Sequence, residues 1–195
     1  GFSKYGIASK PLNLYDKRWK NFLKQVSQGQ ATADIAVIGG GVAGCELAMA
    51  MAFALQSAGE SPRVTVIESG PKISVVGDKA RRRILKAMSD LGIVVKTDAK
   101  IVEVTADQVL LDGQEPVAAV LCVGAAGGSA HKWISQTNLP QRDGFIKIGA
   151  DLGVLGDEAL FAVGDCASMT TGLLPKAGVF AVRAAPILHH NIRMA

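Results

Sequence analysis

The sequence is poor in the residues from which several protein classes are built. Its three cysteines, Cys45, Cys122 and Cys166, stand far apart with no C-x-x-C spacing. Such a set excludes a secreted disulfide framework and a cysteine-based zinc site, and it implies a reducing, cytoplasmic compartment with all three buried as small apolar residues. His131, His189 and His190 have neither triad nor metal-ligand spacing, so they receive no catalytic or metal role. Aromatic residues make up 5% of the chain and charged residues 19%, against 49% hydrophobic, which excludes a disordered segment or a coiled coil. The longest apolar run, Leu47 to Leu55, falls far short of the ~18 residues of a membrane span. The opening residues lack the apolar core of a signal peptide. There is no initiator Met, and the chain reads as a piece of a longer one. The net charge of +4 is small. Without a recognised motif or interleaved aromatics it does not point to nucleic acid. Arg81, Arg82 and Arg83 point about 100° apart on a helix and are expected to form a solvated face.

Glycine, by contrast, is abundant at 22 residues. Residues 1–11 read as an extended linker closed by Pro11. Apolar residues at Leu12, Tyr15, Trp19, Phe22, Leu23 and Val26 predict an amphipathic helix ending near Gly29. A buried strand over 35–38, a helix over 42–57, a strand over 64–67, a helix over 78–91 and a strand over 93–96 follow. That alternation is the pattern of a Rossmann-like α/β fold, with a parallel sheet and crossover helices. Strands over 100–104, 108–111 and 117–123 come next, the last two separated by Asp112-Gly113, so an antiparallel β-meander is expected. Two further strands, 145–148 and 160–163, and a helix over 176–192 complete the chain. The domain organisation expected is a linker over 1–11, a nucleotide-binding domain over 12–125 and a partial second domain over 126–195.

Between the first buried strand and its helix lies Gly39-Gly40-Gly41-Val42-Ala43-Gly44, a G-x-G-x-x-G loop in the context that pyrophosphate binding demands. Gly39 permits the sharp turn, Gly41 lets backbone approach a phosphate, and Gly44 lets the helix pack closely. The helix N-terminus offers unpaired N–H groups and a partial positive charge. Glu68 ends the second strand, 24 residues after Gly44. A carboxylate there accepts hydrogen bonds from an adenosine ribose and repels a 2′-phosphate, which favours NADH over NADPH. Ser69 and Lys72 just beyond leave room for some tolerance.

The glycine loop continues as GGGVAGCELA over 39–48 and resembles the GGGxxGxELA of the NAD-binding domain in the FAD-dependent pyridine nucleotide–disulfide oxidoreductases. In that family Glu46 would face the nicotinamide and flavin side. Val120 to Gly124 resembles the strand end that closes over the NAD pyrophosphate; here Cys122-Val123-Gly124 replaces Ala-Thr-Gly, and Val123 and Gly124 would make the contact. Phe161 to Ala167 (FAVGDCA) resembles the family's second FAD motif, in which Gly164 gives access and Asp165 contacts the flavin's ribityl and phosphate region. Lys176 to Arg183 resembles the helix that approaches the flavin ring, with Lys176 and Ala177 at its start. In wording the chain is most similar to type II NADH dehydrogenase-like flavoproteins, including those fused to selenophosphate synthetase.

The resemblance implies an oxidoreductase that transfers hydride from NADH to FAD and then to an unidentified acceptor, with NAD(H) and FAD as cofactors. Only one dinucleotide loop is present, so the FAD glycine loop would lie in a missing N-terminal half, and the isolated chain would bind NADH but turn over little. No side chain need act as acid or base. The alternative is a non-enzymatic NAD(H)-binding or sensing module; a self-contained dehydrogenase is disfavoured because no His, Tyr–Lys pair or Cys stands in a catalytic context.

Overall fold

The computed structural model describes residues 1–75, 77–128, 130–172 and 176–194. The chain falls into two units, Gly1–Ala126 and Gly127–Ala195. In the first, β2 (Asp34–Ile38), β3 (Arg63–Ile67), β4 (Val94–Lys96), β8 (Leu121–Gly124) and β1 (Gly6–Ala8) form a parallel sheet in the order β1-β8-β2-β3-β4. The helices α2 (Leu12–Ser27), α3 (Val42–Ser57) and α4 (Asp78–Asp90) lie between the strands in sequence. An antiparallel meander, β5 (Ile101–Val104), β6 (Gln108–Leu111) and β7 (Gln114–Ala118), forms a separate sheet.

Strand alternation explains why this sheet is buried on both faces. Ile35 and Val37 of β2, Val64 and Val66 of β3, and Leu121 and Val123 of β8 pack with Phe22 and Val26 of α2 and with Ala48, Met51 and Leu55 of α3. Their neighbours Ala36, Ile67 and Cys122 turn the other way and meet Val104, Val109, Leu111 and Val117 of the meander. The second unit has a core of its own, built on Ile134, Ile146, Ile148, Leu152 and Val154. Its sheet pairs β10 (Phe145–Ile148) with β9 (Gln141–Arg142) and, in parallel, with β11 (Ala167–Met169). Its helix α5 spans Gly178–Met194. Among the described residues, no helix is long and apolar enough to cross a membrane.

Several predicted elements take a different form. Residues 1–11 are not simply a linker: α1 (Phe2–Tyr5) precedes β1, whose residues Gly6, Ile7 and Ala8 pair with Cys122, Val123 and Gly124. The Phe2 ring occupies the space that Cβ atoms on Gly6 and Gly124 would need, 2.3 and 2.7 Å away. The strand expected over 117–123 is two strands. The Ala119 N–H bonds Asp107 O (2.8 Å) and the Val120 N–H bonds Asp34 O (2.9 Å), so the chain leaves the meander and enters the parallel sheet within two residues. Residues 160–163 form only an isolated bridge, Phe161 to Gly153, and the place beside β10 goes to β11. Cys45 and Cys122 are buried as expected, whereas Cys166 is half-buried. Arg81 is not solvated: its side chain is 17% exposed, and it donates to the carbonyls of Ile73 and Val75.

At the start of β2, Asp34 is 5% exposed and accepts two bonds from Arg63, at 2.5 and 2.6 Å, and one from Thr32 at 2.6 Å. The Arg63 hydrogen bond outweighs burial and holds the Asp34 carboxyl below the usual carboxylate range. A lowered native pKa means that the stabilisation is complete above the unfolded-state value, about 3.9, and is lost as pH falls through the native one. Asp34→Asn should therefore lower the urea midpoint at pH 7 and narrow the gap between the midpoints at pH 7 and pH 3. An unchanged gap between the two pH values would remove Asp34 from the acid response.

Candidate functional site

The glycine loop follows directly from β2, and its glycines divide by what each is needed for. Gly39 sits at φ +111°, closed to most L side chains, and donates to Ile67 O at 2.8 Å. A Cβ on Gly44 would stand 1.9 Å from the Gly39 carbonyl oxygen, and one on Gly40 would stand 2.9 Å from Glu68 Oε2. Packing alone therefore requires these three. Gly41 has an ordinary φ of −72°, and a Cβ there would meet nothing within 4 Å. It borders open space at the N-terminus of α3, beside the exposed Val42 and Ala43. First-turn N–H groups have no carbonyl one turn back, so this end offers donors and positive potential to an anion.

Glu68 lies just past β3 and is 8% exposed. Its Oε2 accepts the Gly40 N–H and its Oε1 the Gly70 N–H, both at 2.9 Å. The Ser74 and Ser69 hydroxyls donate to the same two oxygens at 3.3 Å. Burial opposes ionisation, but the hydrogen bonds led by Gly70 and Gly40 outweigh it and hold the carboxyl below its usual value. Glu68 is therefore a fixed anion one residue from the loop's open position. Burial, followed by the charges of Glu68 and Glu46, pushes the Cys45 thiol up; burial pushes Cys122 up to about 12. Both thiols stay neutral and unreactive at ordinary pH.

The predicted residues fall into both units. Gly39 to Gly44, Glu46, Glu68, Val123 and Gly124 belong to the first. Glu46 is exposed one turn into α3. The Val123 side chain is fully buried in the core, leaving only its backbone at the strand end. The space left by the missing Cβ of Gly124 is occupied by Phe2. Gly164, Asp165, Lys176 and Ala177 belong to the second unit and line one cavity of about 150 Å³, together with Phe145 and Phe180. Gly164 has φ +71° and opens a tight turn, Gly164–Cys166, that leaves Asp165 exposed. Lys176 Nζ lies 4.2 Å from the Phe145 ring centroid and donates to Ala167 O. A cavity of this size encloses only part of a flavin. Among the described residues, no group of three or more His, Cys, Asp or Glu could hold a metal ion.

Sequence reasoning missed Ser74 and Gly70, which share Glu68 with the glycine loop, and Arg81, which donates to the carbonyls on either side of Ser74. Arg81 stands three residues after Asp78, with which it pairs, so that ion pair had a sequence signal. Its bonds to two loop carbonyls had none.

The sequence profile of the pyridine nucleotide-disulphide oxidoreductases matches residues 13–185. Demethylphylloquinone reductase NdbB from Synechocystis sp. is 33% identical over 172 residues, covering 85% of this chain and 41% of its own. Rubredoxin-NAD(+) reductase from Ectopseudomonas oleovorans is 29% identical over 144 residues, covering 70% of this chain and 35% of its own. This chain thus spans about two fifths of the length of these relatives. The fold also matches NDH2 from Plasmodium falciparum, solved in complex with NADH, with TM-score 0.72 and 18% identity over 87% of this chain and 41% of that one. The chain belongs to the pyridine nucleotide-disulphide oxidoreductase family.

Proposed function

We propose that this chain is the NAD(H)-binding region, with part of the flavin-binding region, of an oxidoreductase that moves hydride from NADH to FAD and onward to an acceptor. The observation that carries the reading is Gly41, the one loop glycine that neither packing nor backbone strain explains, bordering open space at a helix N-terminus. The residues present fit a dinucleotide there: bare backbone for a pyrophosphate and a fixed carboxylate for a ribose. Bound NADH would supply the hydride. The chain's own residues hold the pyrophosphate at 41–43, orient the ribose at Glu68 and leave Glu46 exposed toward the nicotinamide half. Alignment and exclusion of water are the protein's contribution.

In the second unit, Gly164, Asp165, Lys176 and Ala177 would contact FAD, whose pyrophosphate loop would come from another part of the whole protein. NDH2 was solved with NADH, and the curated relatives are named for reducing a demethylphylloquinone or rubredoxin. These names support a quinone or a small redox protein as the acceptor class.

Gly41→Val should weaken NADH binding at least tenfold by calorimetry, because the added branches block backbone approach, while the melting temperature falls by no more than about 4 °C, the cost of a poorer N-cap for α3. Unchanged affinity would remove the loop from the site.

Glu68→Gln keeps the size, removes the charge and turns one of the two acceptors into a donor. NADH affinity should fall about fivefold or more, and NADPH binding should tighten as repulsion of the 2′-phosphate disappears. Because the Glu68 carboxyl is held below its usual value, wild-type affinity should stay level down to about pH 5 and fall only at lower pH. Wild-type preference for NADPH would contradict the assignment.

The 195-residue chain should purify colourless, and Asp165→Ala should release flavin from the whole protein. A chain that retains stoichiometric FAD through purification would contradict the division of the flavin site.

A further inference from the structure

We propose that Arg81 is a positioning residue for coenzyme choice, acting on Glu68 through the loop between β3 and α4; this rests on the reading of Glu68 as the ribose ligand. Among the described residues between Glu68 and Asp78 there is no strand or helix. These residues are held from two sides. On the inner side, the Ser74 N–H bonds Gly40 O at 2.9 Å, and Ile73 and Val75 are buried at 1% and 4% exposure. On the other side, Arg81 donates Nε to Ile73 O at 3.2 Å and Nη2 to Val75 O at 2.9 Å, while Nη1 pairs with Asp78. One rigid guanidinium thus fixes the carbonyls flanking Ser74, and a planar fork does this where a single ammonium cannot.

The consequence reaches Glu68 through backbone. The two short bonds that aim its carboxylate come from the Gly40 N–H and the Gly70 N–H. Gly70 lies in the same loop, and Gly40 is tied to that loop by Ser74. Gly70 is also anchored from just after β4, its carbonyl accepting the Asp98 N–H at 2.9 Å, so Gly40 is the donor that depends on the segment Arg81 holds. The serine hydroxyls, at 3.3 Å, are long contacts for O–H···O bonds and add little aim of their own. Arg82 and Arg83, in the same run, are exposed and take no part.

Releasing the loop should let the carboxylate swing. NADH would lose oriented acceptors for its ribose, and NADPH would lose an oriented source of repulsion. The two coenzymes should therefore respond differently, whereas general loosening of the fold would weaken both alike.

The test is calorimetric titration of the 195-residue chain with NADH and with NADPH, for wild type, Arg81→Ala and Arg81→Lys, with hydrogen exchange at the Gly40 and Gly70 amides in the ligand-free protein. Both variants should bind NADH about 5- to 30-fold more weakly, change NADPH affinity by less than about twofold, and exchange the Gly40 amide at least about tenfold faster, with a smaller effect at Gly70. Arg81→Lys keeps the charge and the helix propensity, so it stands if the alanine variant does not fold. Equal loss of both coenzymes, or NADH affinity and amide protection at wild-type levels, would overturn the role of Arg81. Wild-type protein that binds no NADH would overturn the site reading instead, and the amide exchange would still decide whether Arg81 positions Glu68.

Discussion

A carboxylate buried at the end of a strand must be hydrogen-bonded or lose its charge, and Glu68 meets that requirement with backbone from two other segments. Its partners, Gly40 and Gly70, lie on either side of it in sequence, one in the glycine loop and one in the turn after β3. A single side chain thus joins the end of β2, the end of β3 and the start of the loop that leads to α4. The arrangement also keeps a negative charge at a constant place beside the open position at Gly41. A flexible glutamate would lose part of any binding contribution to ordering, and this one is ordered beforehand, which suits the ribose contact proposed for it.

Much of the first unit was legible because its signals are periodic. The apolar spacing of α2, the strand–glycine–helix order around Gly39 and the Asp112-Gly113 turn each state a local geometry, and α3 spans the predicted 42–57. The errors occur where a strand depends on its partner. Gly6–Ala8 is too short to show a period and becomes a strand only because β8 offers an open edge and Phe2 fills the space above two glycines. The run over 117–123 reads as one continuous apolar strand, since nothing local marks the change of sheet at Ala119 and Val120. β11 was missed for a related reason: Ala-Ser-Met carries little β signal, and its place is set by β10.

The site was legible by type and less so by mechanism. The motif named the glycines, but it could not distinguish those that packing needs from the one facing open space. It named Glu68 and Gly40 but not the bond between them, and Gly70 and Ser74, which also donate to that carboxylate, belong to no motif. Arg81 was misread because a run of arginines on a helix usually faces water, and the carbonyls that draw this one inward lie in a loop without regular structure. Gly124, expected as a ligand contact, has the space of its missing Cβ filled by Phe2, which leaves its backbone for that contact.

The same comparison separates the two cofactor assignments. In the first unit, Gly41 is the N-cap of α3 and answers to neither close packing nor a positive φ, which is what the proposed nucleotide site draws on. In the second, Gly164 is explained by its positive φ and by Ala181, whose Cβ would lie 3.3 Å from an added Cβ. The flavin assignment there draws on the family pattern around Asp165 and on the cavity shared with Lys176 and Phe145. The two assignments therefore stand on different observations. On the proposed reading, nucleotide selectivity would follow from charge and backbone geometry within the first unit, where the carboxylate and its donors span the loops after β2 and β3 and the open glycine lies in the first of these. On the same reading, flavin retention would need groups beyond Asp165 and the 150 Å³ cavity, a pyrophosphate loop above all.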